Sequence, residues 1–248
     1  MLLALDTSAV ASAALLDGGR VVAARTSTDP RRHAELLQPM VAAVLAEAGA
    51  SRGDLEAVAV GVGPGPYTGL RVGLAAAQTT GLALGLPVHG VCSLDALARA
   101  AADALAADGV GVPGRFGVAT DARRREVYWG AYELGPQGLR RTGGPGVGAA
   151  SDVAGEAPLW LGRGVRLYGE HLPAVPGTAR EALLDPGAAA LGVVAADALA
   201  GRGATPLVPV EPLYLRRPDA VATADRLPPP APAPVRAPAR DSAAGARR

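Results

Sequence analysis

Short apolar runs separated by polar turns open the chain and predict strands. The runs cover residues 1–5, 11–16 and 21–24, and the stretches between them, Asp-Thr-Ser at 6–8 and Asp-Gly-Gly at 17–19, consist of turn-forming residues. Three strands joined by turns this short form an antiparallel meander. The sequence therefore predicts a three-stranded antiparallel unit at the start of the fold.

The hydrophobic spacing then changes to that of a helix. Apolar residues recur three or four positions apart at Leu37, Met40, Val41, Val44, Leu45 and Ala48. Gly49 marks the end of this helix. Pro39 cannot donate a helical hydrogen bond, so the regular part of the helix starts near residues 35–38 or the helix bends there.

A strand, a loop and a helix follow at residues 55–62, 63–68 and 70–84. A further strand and helix follow at 87–91 and 93–107, with Ser93 as the cap of that helix. Within the loop, glycine allows tight turns, proline stiffens the chain, and Thr68 is placed to cap the next helix. The amides at such a helix start favour an anion. The loop lacks the G-x-x-x-x-G-K-[ST] spacing, however, and the chain contains no lysine, which disfavours a phosphate loop.

Small residues recur every four positions along the helix at 70–84 and its start. They are Gly69, Gly73, Ala77 and Gly81, and together they form a strip that is almost bare of side chains. Such a strip lets another element approach closely. Two interpretations remain open from these residues alone: the strip packs on the sheet of its own domain, or it docks a partner subunit.

The opening pattern returns in the second half. Residues 116–120 and 126–134 have strand patterns, and residues 121–123 form the turn between them, whereas residues 135–158 are weakly specified. A helix at residues 186–200 begins with Asp185 as its cap. This repeat predicts a mixed α/β protein of two similar lobes. We assign residues 1–107 to the first lobe, 108–222 to the second and 223–248 to a tail.

Composition limits the core and locates the charge. Hydrophobic residues make up 49% of the chain but aromatic residues only 3%, so alanine, valine and leucine must form the core. The net charge of +1 gives no sign of general nucleic-acid binding. The tail is rich in proline, alanine and arginine, which predicts a disordered, solvated segment, with a weak contact to RNA or another acidic surface as the alternative.

Compartment signals point to the cytoplasm. Cys92 is the only cysteine, so no intramolecular disulfide forms. The start of the chain has no basic segment, and Asp6 interrupts its apolar run, unlike a secretion signal. No stretch approaches the roughly 18 apolar residues of a membrane span. A cytoplasmic protein without a membrane partner is expected.

The candidate chemistry is sparse. Asp6, Thr7 and Ser8 end the first strand and Asp121 ends the equivalent strand of the second half, which suits two carboxylates around magnesium and a phosphate. The alternative is that each aspartate only starts a turn. No metal site is predicted, because the three histidines are far apart and Leu37 stands where a second ligand would follow His33. Arginines 123–125 suit a solvated turn or an anionic partner.

Six segments resemble, in order, the bacterial TsaB family. They are MLLALDTSAVASAAL at 1–15, RRHAELLQP at 31–39, GVGPGPYTGLRVG at 61–73, CSLDALA at 92–98, TDARRREVYWGAY at 120–132 and EPLYLR at 211–216. The resemblance spans nearly everything except the tail. It departs from the family at Pro66 and Tyr67, where the family usually has Ser-Phe.

The resemblance implies a fold and a function. The fold is the two-lobed actin-like ATPase (ASKHA) fold, in which each lobe is an RNase-H-like mixed sheet flanked by helices. The family partners TsaD, which transfers a threonylcarbamoyl group from its adenylate, made by TsaC, to N6 of adenosine 37 in tRNAs reading ANN codons. TsaE, an ATPase, joins the assembled complex, and tRNA is bound indirectly through it. The chain is thus expected to be a non-catalytic partner without a cofactor.

The resemblance also implies which residues form the interface with TsaD, or with a second copy of the chain. They lie on the two helices that flank the Gly/Pro loop: Leu37, Met40, Val41, Val44, Tyr67, Thr68, Gly69, Arg71, Val72, Gly73, Ala76, Ala77 and Thr80. Asp6, Thr7, Ser8 and Asp121 are expected to be a vestigial nucleotide site. The competing hypothesis is a self-sufficient ATPase or kinase that uses Asp6 and Thr7 with Mg-ATP.

Overall fold

The first of two sheets in the computed structural model has the strand order β3-β2-β1-β4-β5. The structure describes residues 1–27, 29, 31–109, 111, 114–178 and 180–216, so the predicted tail lies outside the described residues. The strands are β1 (Leu2–Asp6), β2 (Ser12–Asp17), β3 (Arg20–Thr26), β4 (Ala57–Gly61) and β5 (Val88–Val91). β1, β2 and β3 form the predicted antiparallel meander, whereas β1, β4 and β5 are parallel.

Helices cover both faces of this sheet, which explains why β1 and β4 are buried along their whole length. The helices are α1 (His33–Glu47), α2 (Tyr67–Leu84), α3 (Ser93–Ala107), α4 (Ala150–Val153), α5 (Arg163–Leu167) and α6 (Ala188–Leu199). Side chains of α1 and α2 pack on one face of the sheet, and those of α6 pack on the other.

The second sheet repeats the first. Its strands are β6 (Arg115–Asp121), β7 (Glu126–Gly135), β8 (Gly138–Ala149) and β9 (Trp160–Leu161), in the order β8-β7-β6-β9. β7 is antiparallel to β6 and β9 is parallel to it, as β2 and β4 are to β1. The two mixed sheets flanked by helices confirm the predicted α/β class and the internal repeat.

β8 lies in the segment that the sequence left weakly specified. Its 12 residues pair with β7, although they include five glycines and one proline and alternate poorly between apolar and polar positions. Pairing with one long neighbour supplies the order that the side-chain pattern lacks.

Two helices pack across the predicted boundary at residue 107/108. α6 belongs to the second half by sequence but contacts every strand of the first sheet. α3 in turn contributes Leu94, Leu97 and Ala101 to the core of the second sheet. Each half is therefore completed by a helix from the other.

Three predicted helix caps are wrong. The N-cap of α2 is Pro66 and Thr68 lies inside the helix, the N-cap of α3 is Cys92, and that of α6 is Gly187. Ser93 and Asp185 are not available as caps because their side chains bind Asp6 and Arg163 instead.

Within the described residues, no helix combines the length and apolar character needed to cross a lipid bilayer.

Candidate functional site

The strip of small residues on α2 packs against its own sheet. A Cβ atom on Gly73 would lie 2.5 Å from Thr7 Oγ1, and one on Gly69 would lie 2.7 Å from the Thr7 carbonyl oxygen. A Cβ atom on Gly81 would come 2.4 Å from a methyl carbon of Val88, and Ala77 is fully buried. The interpretation of this strip as a docking surface is therefore wrong, and the alternative, packing within the domain, is confirmed.

The same correction applies to three predicted interface residues on α1. Leu37, Val41 and Val44 are 1%, 6% and 0% exposed, and they belong to the core between α1, α2 and the sheet. The apolar spacing of these three residues marks the face of α1 that packs against the core. Gly69, Gly73 and Ala77 are buried as well, so only seven of the predicted interface residues have side chains that are exposed or half-buried.

Of those seven residues, Ala76 and Thr80 line a groove bordered by α1 and α2, Tyr67, Thr68 and Arg71 lie in the first turns of α2, and Met40 and Val72 pack against the core. Met40, Val72, Ala76 and Thr80 are half-buried, whereas Tyr67, Thr68 and Arg71 are exposed. The space between the helices measures about 250 Å³ and is lined by Leu3, Gln38, Val41, Arg52, Leu55, Ala76, Thr79, Thr80, Ala83 and Leu84. We call this space the helical groove. The short side chains of α2 that line it leave room for a side chain of a second protein.

An aromatic cluster lies at the start of α2, where the first turn of the helix contacts residues 211–216, which we call the C-terminal segment. The rings of Tyr67 and Tyr214 stack with centroids 4.7 Å apart, and the Arg71 guanidinium lies 3.9 Å from the centroid of the Tyr67 ring. Tyr67 is 40% exposed. The backbone N–H of Leu213 donates to the carbonyl of Val62 and holds the segment in place. Tyr214 was not predicted as a site residue, although it lies in the EPLYLR motif that carried the resemblance.

A separate cleft of about 420 Å³ opens at the carboxyl ends of β1 and β6. Its lining includes Ser8, Thr120 and Asp121 at or near the strand ends, and the charged residues Arg123, Arg163, Glu181 and Asp185. Arg163 Nε donates to both carboxylate oxygens of Asp185, at 2.9 and 3.1 Å. This ion pair occupies the carboxylate of Asp185 and the guanidinium of Arg163, so neither group is unpaired in the cleft.

Asp6 does not line the cleft. Its side chain is fully buried, Oδ1 accepts hydrogen bonds from the backbone N–H and the hydroxyl of Ser8, and Oδ2 accepts one of 2.6 Å from the hydroxyl of Ser93. Burial raises the pKa of Asp6, although the hydrogen bonds from Ser8 and Ser93 favour the carboxylate. The carboxylate thus fastens β1 to the start of α3.

The Thr7 side chain also has a structural role. Its hydroxyl donates to the carbonyl of Gly69 and accepts from the backbone N–H of Gly73. Asp121 accepts a hydrogen bond from the backbone N–H of Arg123, as expected for a residue that starts a turn. Of the four predicted nucleotide-site residues, only Ser8 and Asp121 reach the cleft, and Asp6 and Thr7 are structural.

Metal ligands are not gathered in the part of the chain that the structure describes. No group of three or more His, Cys, Asp or Glu side chains there is arranged to hold an ion. His33 Nε2 lies 3.1 Å from the carbonyl oxygen of Ala9, and Leu37 one turn later is in the core.

A second buried polar cluster joins α3 to the second sheet. The Tyr132 hydroxyl donates to Asp95 Oδ1 at 2.7 Å, and Arg141 Nη1 lies 3.3 Å from Cys92 Sγ. Burial, reinforced by the charge of Asp95, raises the pKa of Cys92 to about 12. The thiol is therefore protonated at neutral pH and is not a nucleophile.

Substitutions at Asp6 distinguish a structural carboxylate from a ligand. Asp6→Ala leaves the Ser8 amide and the Ser93 hydroxyl without their buried acceptor, so we expect the free energy of unfolding to fall by about 1–3 kcal/mol. Asp6→Asn keeps an acceptor for Ser8 and should cost less. Chemical denaturation measures both, and unchanged stability in Asp6→Ala would contradict the structural role.

The raised pKa of Asp6 fixes the direction in which pH changes the free energy of unfolding. The pKa of Asp6 is raised in the folded state, so the folded chain binds the proton more tightly than the unfolded chain. The stability that this proton contributes is present at acid pH and is lost as pH rises through the raised pKa. Lowering the pH should therefore stabilise the native chain relative to Asp6→Asn, which lacks the titrating group.

Comparisons with known proteins place these features in a family. A family model described as TsaD, tRNA N6-adenosine threonylcarbamoyltransferase, matches residues 21–158. An uncharacterized protein of Mycobacterium tuberculosis is 45% identical over 203 residues, which cover 81% of this chain and 82% of that protein. The tRNA threonylcarbamoyladenosine biosynthesis protein TsaB of Escherichia coli is 39% identical over 140 residues, or 56% of this chain and 57% of that protein.

A solved structure shows the same fold. YeaZ from Pseudomonas aeruginosa superposes with a TM-score of 0.70 and 38% identity, over 86% of this chain and 99% of that structure. YeaZ is another name for TsaB. The likeness confirms the predicted two-lobed, actin-like ATPase architecture.

Proposed function

The chain belongs to the TsaB family, and on this premise we propose that it is a non-catalytic subunit in tRNA threonylcarbamoyladenosine biosynthesis. In this role it binds TsaD and makes it competent to transfer the threonylcarbamoyl group to adenosine 37 of tRNAs reading ANN codons. The observation that carries this proposal is the helical groove, which Ala76, Thr79, Thr80 and Ala83 of α2 line with short side chains above the buried core.

The groove fits a helix of a related protein. The match to the TsaD family model over residues 21–158 includes all of α1 and α2, so TsaD carries counterparts of these helices. Related proteins can pair through equivalent surfaces, as the copies of a symmetric dimer do. Ala76, Thr79 and Ala83 leave space between α1 and α2 for a ridge of side chains from such a helix.

The aromatic cluster beside the groove supplies an anchor. Tyrosine and arginine are enriched among the residues that contribute most binding energy at interfaces. Tyr67 and Arg71 are exposed and held in one arrangement by Tyr214, so docking them costs little side-chain entropy. The interface that we propose therefore comprises Met40, Tyr67, Thr68, Arg71, Val72, Ala76 and Thr80, with Tyr214 as an addition.

The geometry of the cleft favours a subunit without its own chemistry. Asp6 and Thr7, which an ATPase of this fold would need, are used to hold β1 against α2 and α3. TsaE is proposed to join the complex, and a homodimer through the same groove is the alternative state of the free chain. The cytoplasmic location stays a prediction.

Co-expression with TsaD from the same genome tests this function. We expect the two chains to elute together in gel filtration, and TsaD to modify tRNA in the presence of TsaC, TsaE and ATP only when this chain is added. Calorimetry of the isolated chain with Mg-ATP is the second measurement. Failure to bind TsaD, or ATP turnover by the chain alone, would overturn the proposal.

A further inference from the structure

The C-terminal segment contacts both halves of the chain. Near its middle, the backbone N–H of Leu213 donates a hydrogen bond of 2.8 Å to the carbonyl of Val62, which follows β4 of the first sheet. At its end, the Arg216 side chain donates a hydrogen bond of 3.0 Å to the carbonyl of Ala122 and forms an ion pair with Glu126. Ala122 and Glu126 flank the turn between β6 and β7, so the segment joins the first half of the chain to the second sheet.

Close packing fixes the path of this segment. Leu213 packs against the core between α1, α2 and the first sheet, and also against the core that α3 forms with the second sheet. Just before the segment, the backbone N–H of Val208 donates a hydrogen bond of 2.9 Å to the carbonyl of Gly90 in β5. A Cβ atom on Gly90 would lie 2.5 Å from the Val208 carbonyl oxygen, so the chain approaches β5 as closely as glycine permits. These contacts hold the segment at the junction of the two halves.

The ion pair of Arg216 and Glu126 is partly shielded from water, since the two side chains are 24% and 35% exposed. Arg216 uses Nη1 for the carbonyl of Ala122 and Nη2 for the carboxylate, so both arms of the guanidinium are engaged. Tyr214, whose ring stacks on Tyr67, is two residues away, which places its Cα atom within about 7.6 Å of that of Arg216. Release of Arg216 would therefore loosen the short link that holds Tyr214 in the stack.

We propose that the ion pair of Arg216 and Glu126 positions the aromatic cluster for the docking of TsaD, an inference that rests on the proposed function. Glu126 belongs to the second half of the chain, whereas the helical groove and the proposed interface, apart from Tyr214, belong to the first. Arg216 and Glu126 are positioning residues that act on Tyr67 through Tyr214. A ring that is already held in its bound arrangement loses less entropy on association than a mobile ring does.

Calorimetric titration of TsaD with two variants of the full chain, Arg216→Gln and Glu126→Gln, tests this inference. Each variant removes one charge of the ion pair. We expect the affinity for TsaD to fall on the order of tenfold in each, the factor for one or two side chains that must be immobilised on binding. The double variant should lose little more than either single variant, because both changes break the same contact. Native affinity in both single variants would overturn the inference.

Two controls separate the effect of this ion pair from a general loss of charge. Arg140→Gln breaks an exposed ion pair with Glu133 in the same sheet and should leave the affinity unchanged. Arg216→Lys keeps the charge and should retain most of the affinity. Thermal unfolding verifies that every variant is folded. A loss of affinity in Arg140→Gln equal to that in Arg216→Gln would contradict the specific role of Arg216.

Two further measurements report positioning rather than stability. In a chain that carries Tyr67→Ala, the change Arg216→Gln should cause little further loss of affinity, because the ring that the ion pair positions is gone. In the free chain, the Leu213 amide should exchange its hydrogen faster in Arg216→Gln than in the native chain or in Arg140→Gln. Additive losses of affinity, or native exchange at Leu213, would overturn the inference.

The proposed function and this inference fail in different ways. If TsaD does not bind the native chain, the proposed function fails and this inference fails with it. If TsaD binds the native chain and the two Gln variants with equal affinity, the proposed function stands and only the positioning role is overturned.

Discussion

Replacing Ala76 by arginine (Ala76→Arg) is expected to abolish the complex with TsaD while the isolated chain stays folded. Ala76 lines the helical groove and is half-buried, so the new side chain fills the space that a partner helix would occupy. Docking would also remove its charge from water without a partner. We expect affinity to fall at least about 100-fold, which is roughly 2.8 kcal/mol at 1.4 kcal/mol per factor of ten.

Calorimetric titration of TsaD, with gel filtration of the mixture, measures this effect. Thr79→Arg is a second variant, because Thr79 also lines the groove but is exposed and tolerates a longer side chain in the free chain. Ala106→Arg is the matched control, since it places the same side chain on an exposed position of α3. Complexes that form equally well with all three variants would refute docking at the groove.

Replacing Gly73 by leucine (Gly73→Leu) is expected to destabilise the chain itself. Its Cβ atom alone would lie 2.5 Å from Thr7 Oγ1, the atom that accepts the Gly73 N–H and donates to the Gly69 carbonyl. The rest of the side chain would enter the fully buried contact between α2 and β1. Overpacking of this kind costs up to about 3 kcal/mol, which lowers the melting temperature of a domain of this size by roughly 6–12 °C.

The control for this variant is Ala75→Leu, two residues further along α2 on its exposed face. It introduces the same side chain at an exposed position, and because helix propensity by itself favours Gly73→Leu over Ala75→Leu, a greater loss of stability in Gly73→Leu reports the close packing. Thermal and chemical unfolding should separate the two variants clearly. If Gly73→Leu were as stable as Ala75→Leu and only failed to bind TsaD, the strip of small residues would regain its status as a docking surface.

Much of the candidate site could be located from sequence, but not its orientation. The helices α1, α2 and α3 fall within a few residues of their predicted positions, because each carries a long local pattern. The groove and the aromatic cluster lie on the predicted helices. The residues chosen on α1 and the strip on α2, however, were largely the inner ones, since the most regular spacing reports the face that packs.

At the cleft, the sequence predicted where the candidate residues lie in the fold but not where the Asp6 side chain points. Sequence placed Asp6 and Asp121 at equivalent strand ends, and the repeated topology confirms that equivalence. It did not reveal that Asp6 points to Ser8 and Ser93, since Ser93 is 87 residues away along the chain. A carboxylate at a strand end can bind a ligand, or it can be a buried hydrogen-bond acceptor that joins two elements. Only the neighbouring residues distinguish the two roles.

By itself the sequence determined the elements, their repetition in two halves and the family, because hydrophobic periods, turn residues and motifs are local properties of the chain. Only the tertiary structure decided which side of α2 is inside, where α6 packs, and that the C-terminal segment carries Tyr214 to Tyr67. The physical reason is that the core consists largely of alanine, glycine, valine and leucine. With so few large side chains, the two faces of a helix differ little in hydrophobicity, and burial is settled by which neighbours fit closely against each face.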